Sequence, residues 1–113
     1  MPRNLQLYLN DIQQSIRKIQ KYVKGYSYEK FIKDEKTIDA VIRNLSIIGE
    51  AGTRIPQKIQ EKYPKLPWHE IIGMRNKVIH EYFGLNEEIL WKTIQDDLPR
   101  LKKELSKITK KGN

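Results

Sequence analysis

Apolar residues recur along this chain at steps of three and four, and the strict alternation that marks strands is scarce. Leu5, Leu9, Ile12, Ile16, Ile19 and Val23 form one such series and predict a first helix from about Asn4 to Lys24. Gly25 follows and can take the positive φ that ends helices. Tyr26 to Lys33 reads as a connector or short helix. Asp34 is placed to cap a second long helix, in which Ile38, Val41, Ile42, Leu45, Ile48 and Ile55 make one stripe. Pro56, Pro64 and Pro67 punctuate the next stretch, with room for one short helix between the first two.

A third long helix is predicted from near Trp68 to about Tyr82, where Gly84 breaks it. Asn86, Glu87 and Glu88 then open a last helix with acids at its positive end. Trp91, Ile94, Leu98, Leu101, Leu105 and Ile108 supply its buried stripe. Pro99 falls inside that stripe and predicts a kink, and the Lys-rich tail after Leu105 is expected to fray. Four long amphipathic helices with mostly short connections predict an all-α, antiparallel four-helix bundle with a short extra helix and a kinked final one. At 113 residues the chain fits a single helical domain, its core spanning about residues 4–108.

Composition narrows the chemistry. There is no cysteine, which excludes disulfide scaffolds, thiolate zinc sites, iron–sulfur clusters and cysteine nucleophiles together. Hydrophobic residues make up 38% of the chain, enough for one modest core. No apolar run approaches the length of a membrane span, and the N-terminal residues lack the apolar stretch of a signal peptide, so a soluble cytoplasmic protein is expected. The formal charge is +8, which first suggests nucleic acid. Residues 1–24 hold five basic and one acidic side chain, residues 100–113 six and one, and the middle eleven and twelve. The positive excess therefore belongs to the two ends.

The third helix breaks its own pattern. At 100° per residue, Trp68, Ile71, Ile72, Val78, Ile79, Tyr82 and Phe83 share one apolar arc, and Arg75 falls in the middle of it. A guanidinium cannot shed its proton there, so it must snorkel, pair with a buried acid, or face a cleft or a subunit interface. Glu50 on the second helix is one possible ion-pair partner. Asn76, His69 and His80 lie along one flank of the arc, with Asn76 and His80 four residues apart, so the amide can orient the imidazole. Gly73 leaves a gap beside His80 where another chain could approach. His69 and His80 are eleven residues apart and cannot share a metal within one helix. No metal-ligand spacing and no phosphate-binding glycine loop is present, so no metal and no cofactor is expected. Most helical histidines are structural or on the surface, and a stripe-centred arginine is more often in an ion pair than in a catalytic site.

Arg75 to Tyr82 reads R-x-x-x-x-H-x-Y and resembles the signature of the HEPN superfamily, its tyrosine resembling the HepT-like branch. The resemblance extends through Ile47 to Ala51, Leu66-Pro67-Trp68, Gly73-Met74, Tyr82-Phe83 and Leu90-Trp91. It implies a HEPN-type bundle and a metal-independent endoribonuclease, the toxin of a toxin–antitoxin pair. By that resemblance two subunits form a homodimer in which both Arg–His sets face one cleft. His80 would act as general acid/base, Arg75 would stabilise the charge on the scissile phosphate, and Asn76 would assist. The products would be a 2′,3′-cyclic phosphate and a 5′-hydroxyl. Tyr82, which packing alone would explain as a helix-end aromatic, would be the acceptor of AMP from a minimal nucleotidyltransferase antitoxin. Two other readings stay open: a non-catalytic HEPN-type nucleotide- or RNA-binding or assembly module, and a plain bundle whose Arg75 is a structural ion pair.

Overall fold

A computed structural model describes residues 3–73 and 87–111. Every regular element among the described residues is helical. The elements are α1 (Arg3–Tyr22), α2 (Tyr28–Lys33), α3 (Glu35–Thr53), α4 (Gln57–Lys62), α5 (residues 68–73), α6 (Glu87–Lys92), a π turn (Thr93–Asp97) and α7 (Leu98–Lys111). The helix nucleus is costly, so these helices need tertiary burial of an apolar face to persist. In α1 that face is complete: Leu5, Leu9, Ile12, Ile16 and Ile19 are all at most 2% exposed.

The ends of the first helices follow from local chemistry. Gly25 takes φ of +78°, the left-handed conformation expected after a helix. Ser27 caps α2 by accepting from the Lys30 N–H at 3.1 Å. Asp34 caps α3 by accepting from the Thr37 N–H at 3.1 Å. Its other carboxylate oxygen accepts from the Thr37 hydroxyl at 2.7 Å and the Tyr26 hydroxyl at 2.6 Å. These bonds to the charged form, the Tyr26 hydroxyl foremost, pull the Asp34 carboxyl down to about 2.

α1 packs chiefly along α3 and also touches α7. Gln20, near the end of α1, meets Lys102, near the start of α7, at 3.2 Å, so the two helices run antiparallel. Val41, Leu45 and Ile48 of α3 and Leu98, Leu101 and Leu105 of α7 complete the core. Phe31 of α2 is fully buried and anchors that short helix.

One expectation takes a specific form, and two details differ from the sequence reading. The deviation near Pro99 is resolved by a π turn: the Leu98 N–H bonds to the Thr93 carbonyl, five residues back. Pro99 has no N–H to give Gln95 and its ring crowds that carbonyl, and a widened turn just before it relieves both problems. Trp91 is half-buried rather than enclosed, and packs its ring 5.0 Å from Phe31 and 6.4 Å from Tyr28. The last helix does not fray after Leu105 but continues to Lys111, because Ile108 joins Leu101 and Leu105 on the buried face. No helix among the described residues is long and apolar enough to cross a membrane.

Candidate active site

Arg75, Asn76, His80 and Tyr82 lie outside the described residues, as does any contact between Arg75 and Glu50. The structure describes the frame on both sides of them. On the entry side, the chain is pinned before α5 begins. The Leu66 N–H bonds to the Tyr63 carbonyl at 3.2 Å, and the Trp68 indole N–H bonds to the same carbonyl at 3.0 Å. Pro67 opens the helix through its carbonyl, which accepts from the Ile71 N–H at 2.9 Å. Leu66 and Trp68 are buried and Ile71 is fully so.

α5 lies against α3 at a glycine. A Cβ on Gly52 would fall 2.8 Å from the Ile71 Cγ2 and 3.4 Å from the Ile72 Cγ1, so only glycine fits beneath the first turn of α5 without a shift. On the opposite flank, Arg100 of α7 holds the Glu70 carboxylate at 2.5 Å. Both side chains are more than half exposed, so this pair contributes at most about 1 kcal/mol and serves mainly to set the rotation of α5. Apolar burial on α3 and an ion pair to α7 thus fix where α5 starts and how its described turns are seated.

Of the flanking sequence candidates, Trp68 and Ile71 occupy the buried arc the wheel assigns them, and Ile72 is partly buried. His69 is exposed. A Cβ added at Gly73 would meet no described atom within 4 Å, and the expected gap beside His80 lies partly outside the described residues. Glu50 lies 3.6 Å from Arg54, the residue that ends its helix. Among the described residues no three potential metal ligands come together.

On the exit side, Glu87 and Glu88 occupy the first turn of α6 and Trp91 docks that helix on α2. Beside it an open groove of about 450 Å³ is lined by Tyr28, Trp91, Gln95, Glu88, Lys92 and Asp96. Partial burial, then the carboxylates of Glu88, Glu87 and Glu29, push the Tyr28 phenol above its ordinary range. This groove was not legible in the sequence, because it depends on α2 lying against α6. The Gly52 seat was readable in part: Gly52 continues the Leu45 and Ile48 stripe, a place where a glycine signals close helix approach. Nothing in the sequence pairs Glu70 with Arg100.

A family model described as ribonuclease HepT-like matches residues 12–108. The chain belongs to the HepT-like ribonuclease family. Several similar proteins align over nearly their whole length. A protein named "Probable ribonuclease HepT" from Thermococcus cleftensis is 43% identical over 110 residues, 97% of this chain and 100% of the relative. A candidate RNase of Caldanaerobacter subterraneus is 46% identical over 104 residues, 92% of this chain and 93% of its own. A candidate RNase of Methanocaldococcus jannaschii is 42% identical over 108 residues, covering 96% and 89%. No solved structure matches the chain. Membership of a HepT-like family supports ribonuclease activity and an RNA substrate, and it answers the HEPN-type bundle expected from the motif.

Proposed function

We propose that this chain, acting as one helical domain, is a metal-independent endoribonuclease and the cytoplasmic toxin of a toxin–antitoxin pair. The observation that carries the reading is the family match over residues 12–108, which encloses an intact R-x-x-x-x-H-x-Y at Arg75 to Tyr82. Its chemistry needs only this chain's own side chains. A ribose 2′-oxygen attacks the adjacent phosphorus while His80 takes the 2′-hydroxyl proton. The bond from phosphorus to the 5′-oxygen breaks, and that oxygen receives a proton as it leaves. The products are a 2′,3′-cyclic phosphate and a 5′-hydroxyl. An imidazole suits proton transfer near neutral pH. Arg75 keeps its charge at any working pH and offers a planar fork to the negative charge growing on the phosphoryl oxygens. Asn76, one turn before His80, orients the imidazole.

Two copies pair so that both Arg–His sets face one cleft, and Gly73 on the motif helix leaves room for that approach. A minimal nucleotidyltransferase antitoxin neutralises the toxin by transferring AMP to Tyr82. The test is incubation of the purified protein with RNA in EDTA, followed by analysis of the ends. Cyclic-phosphate ends that vanish in His80→Ala support the reading. Intact RNA with every variant favours a non-catalytic binding module instead.

A further inference from the structure

The geometry points to a second RNA contact outside the proposed catalytic residues: the seam between α1 and α7, where Arg17, Lys24 and Lys102 hold the phosphodiester backbone of a single strand. The sequence places the positive excess at the two ends of the chain, and the fold brings part of it together along one seam, because α1 and α7 pack side by side and antiparallel. Arg17 and Gln20 share one flank of α1, and Lys24, in the turn just after the helix, lines the same hollow as Gln20. Lys102 faces that flank across the seam and donates to the Gln20 side-chain carbonyl at 3.2 Å. That bond occupies the acceptor end of Gln20, so what the amide offers a ligand is its NH2 donor. All three cations are exposed.

The seam is also free of carboxylates on both helices. Asp11 lies about 180° around α1 from Gln20, and Glu104 lies about 160° around α7 from Lys102. Lys107 holds Glu104 at 3.1 Å on that far side. Asp96 and Asp97, just before α7, sit on the π turn, where Asp96 lines the groove with Tyr28 and Trp91. At the α2 end the seam opens into a hollow of about 240 Å³ between Lys24, Gly25, Gln20, Gln95 and Pro99, with no carboxylate in its lining. A row of cations and amide donors without an anion suits phosphate oxygens; acidic partners with directional side chains would need fixed, buried donors that are not here. Sequence-blind backbone contacts of this kind raise affinity and make it fall with salt. The choice of RNA as ligand rests on the ribonuclease reading above.

The test uses the full chain and a fluorescent 2′-O-methyl oligouridylate of about 20 nucleotides, which lacks the attacking hydroxyl and so reports binding without cleavage. Anisotropy titrations over a salt series compare the parent with R17A/K24A/K102A and with K18A/K36A/K58A, which loses the same charge from exposed sites off the seam. For single strands each phosphate contact adds roughly 0.7 to the salt slope, so the seam triple should lower it by about 2 and weaken binding at least tenfold at low salt. The control triple should follow the parent. Equal slopes for the two triples, or no binding by the parent, overturn the proposal. Should the seam triple lose its helical circular dichroism, Arg17→Gln and Lys24→Gln taken singly carry the same test, each with a drop of about 0.7. Cleavage of ordinary RNA is scored separately. If the parent cuts nothing while the slope difference stands, the ribonuclease reading falls and the seam remains.

Discussion

Gly52 of α3 and Ile71 of α5 are in such close contact that a single methyl group on the glycine would fall 2.8 Å from the Ile71 Cγ2. Ile71 is fully buried and cannot swing outward. The helix that leads into Arg75 and His80 is therefore seated on α3 by the absence of a side chain. Gly52→Ala should destabilise the protein by about 1–3 kcal/mol through overpacking, although alanine is the better helix former. The clash is with the branch methyl of isoleucine, and Ile71→Leu moves that branch one carbon outward. G52A/I71L should therefore lose less than the sum of its single variants in urea unfolding. A G52A protein as stable as the parent would remove the close approach from the account.

Asp34 joins α2 to α3 through a carboxylate that accepts from Tyr26 and from two groups of Thr37. Its carboxyl is lowered to about 2 from an unfolded value near 3.8. A folded-state value below the unfolded one adds stability that is complete above about pH 4 and is lost as pH falls toward 2. The difference in melting temperature between the parent and Asp34→Ala should thus be flat from neutral pH to about 5 and shrink between 4 and 2. Tyr26→Phe removes the largest cause of the lowered value and should show the same acid-side convergence at smaller amplitude. A parent-to-D34A difference that grows on acidification contradicts this assignment.

How far the sequence could be read divides along physical lines. Helix stripes are set by period, and Leu5 to Val23 and Leu98 to Ile108 sit buried where the period puts them. Gly25 and Asp34 act as punctuation because their roles depend on φ and on one local hydrogen bond. Pro99 signalled a defect but not its form. The missing N–H is local, whereas the choice of a π turn depends on how Ile94 and Leu98 must both reach the core. Contacts such as Glu70 with Arg100 and Trp91 with Phe31 join residues 30 or more positions apart, and no pattern along the chain pairs them. For the site, the motif was legible as residue types at fixed spacing, and the structure adds the seating of α5 and α6 on either side of it.

Trp91 secures the exit side of that frame. Its ring packs on Phe31 and Tyr28 while remaining half-buried. Trp91→Ala should cost about 2 kcal/mol, below the 3–5 typical of a fully buried aromatic, and Trp91→Phe should keep most of the stacking. The chain holds two tryptophans, so in a Trp68→Phe background the remaining fluorescence reports this contact directly. Solvent-like emission from folded protein in that background would show that Trp91 is not docked on α2.

The proposed modification predicts a separation of two properties at Tyr82. If AMP is transferred to the phenol oxygen, Tyr82→Phe removes the acceptor and leaves the ring, whose packing role needs no hydroxyl. Ribonuclease activity should then stay within about twofold of the parent, because the proposed mechanism assigns the chemistry to His80 and Arg75. Neutralisation should fail. On the proposed mechanism, an added phosphodiester would bring negative charge and bulk to the site whose guanidinium is assigned to the RNA phosphate, and so would shut it. The readout is growth of cells producing the parent or Y82F toxin with an active nucleotidyltransferase, together with intact-protein mass after incubation with ATP. The parent should gain the mass of one AMP and lose toxicity, and Y82F should do neither. Equal rescue of both proteins, or a mass gain on Y82F, places the modification elsewhere.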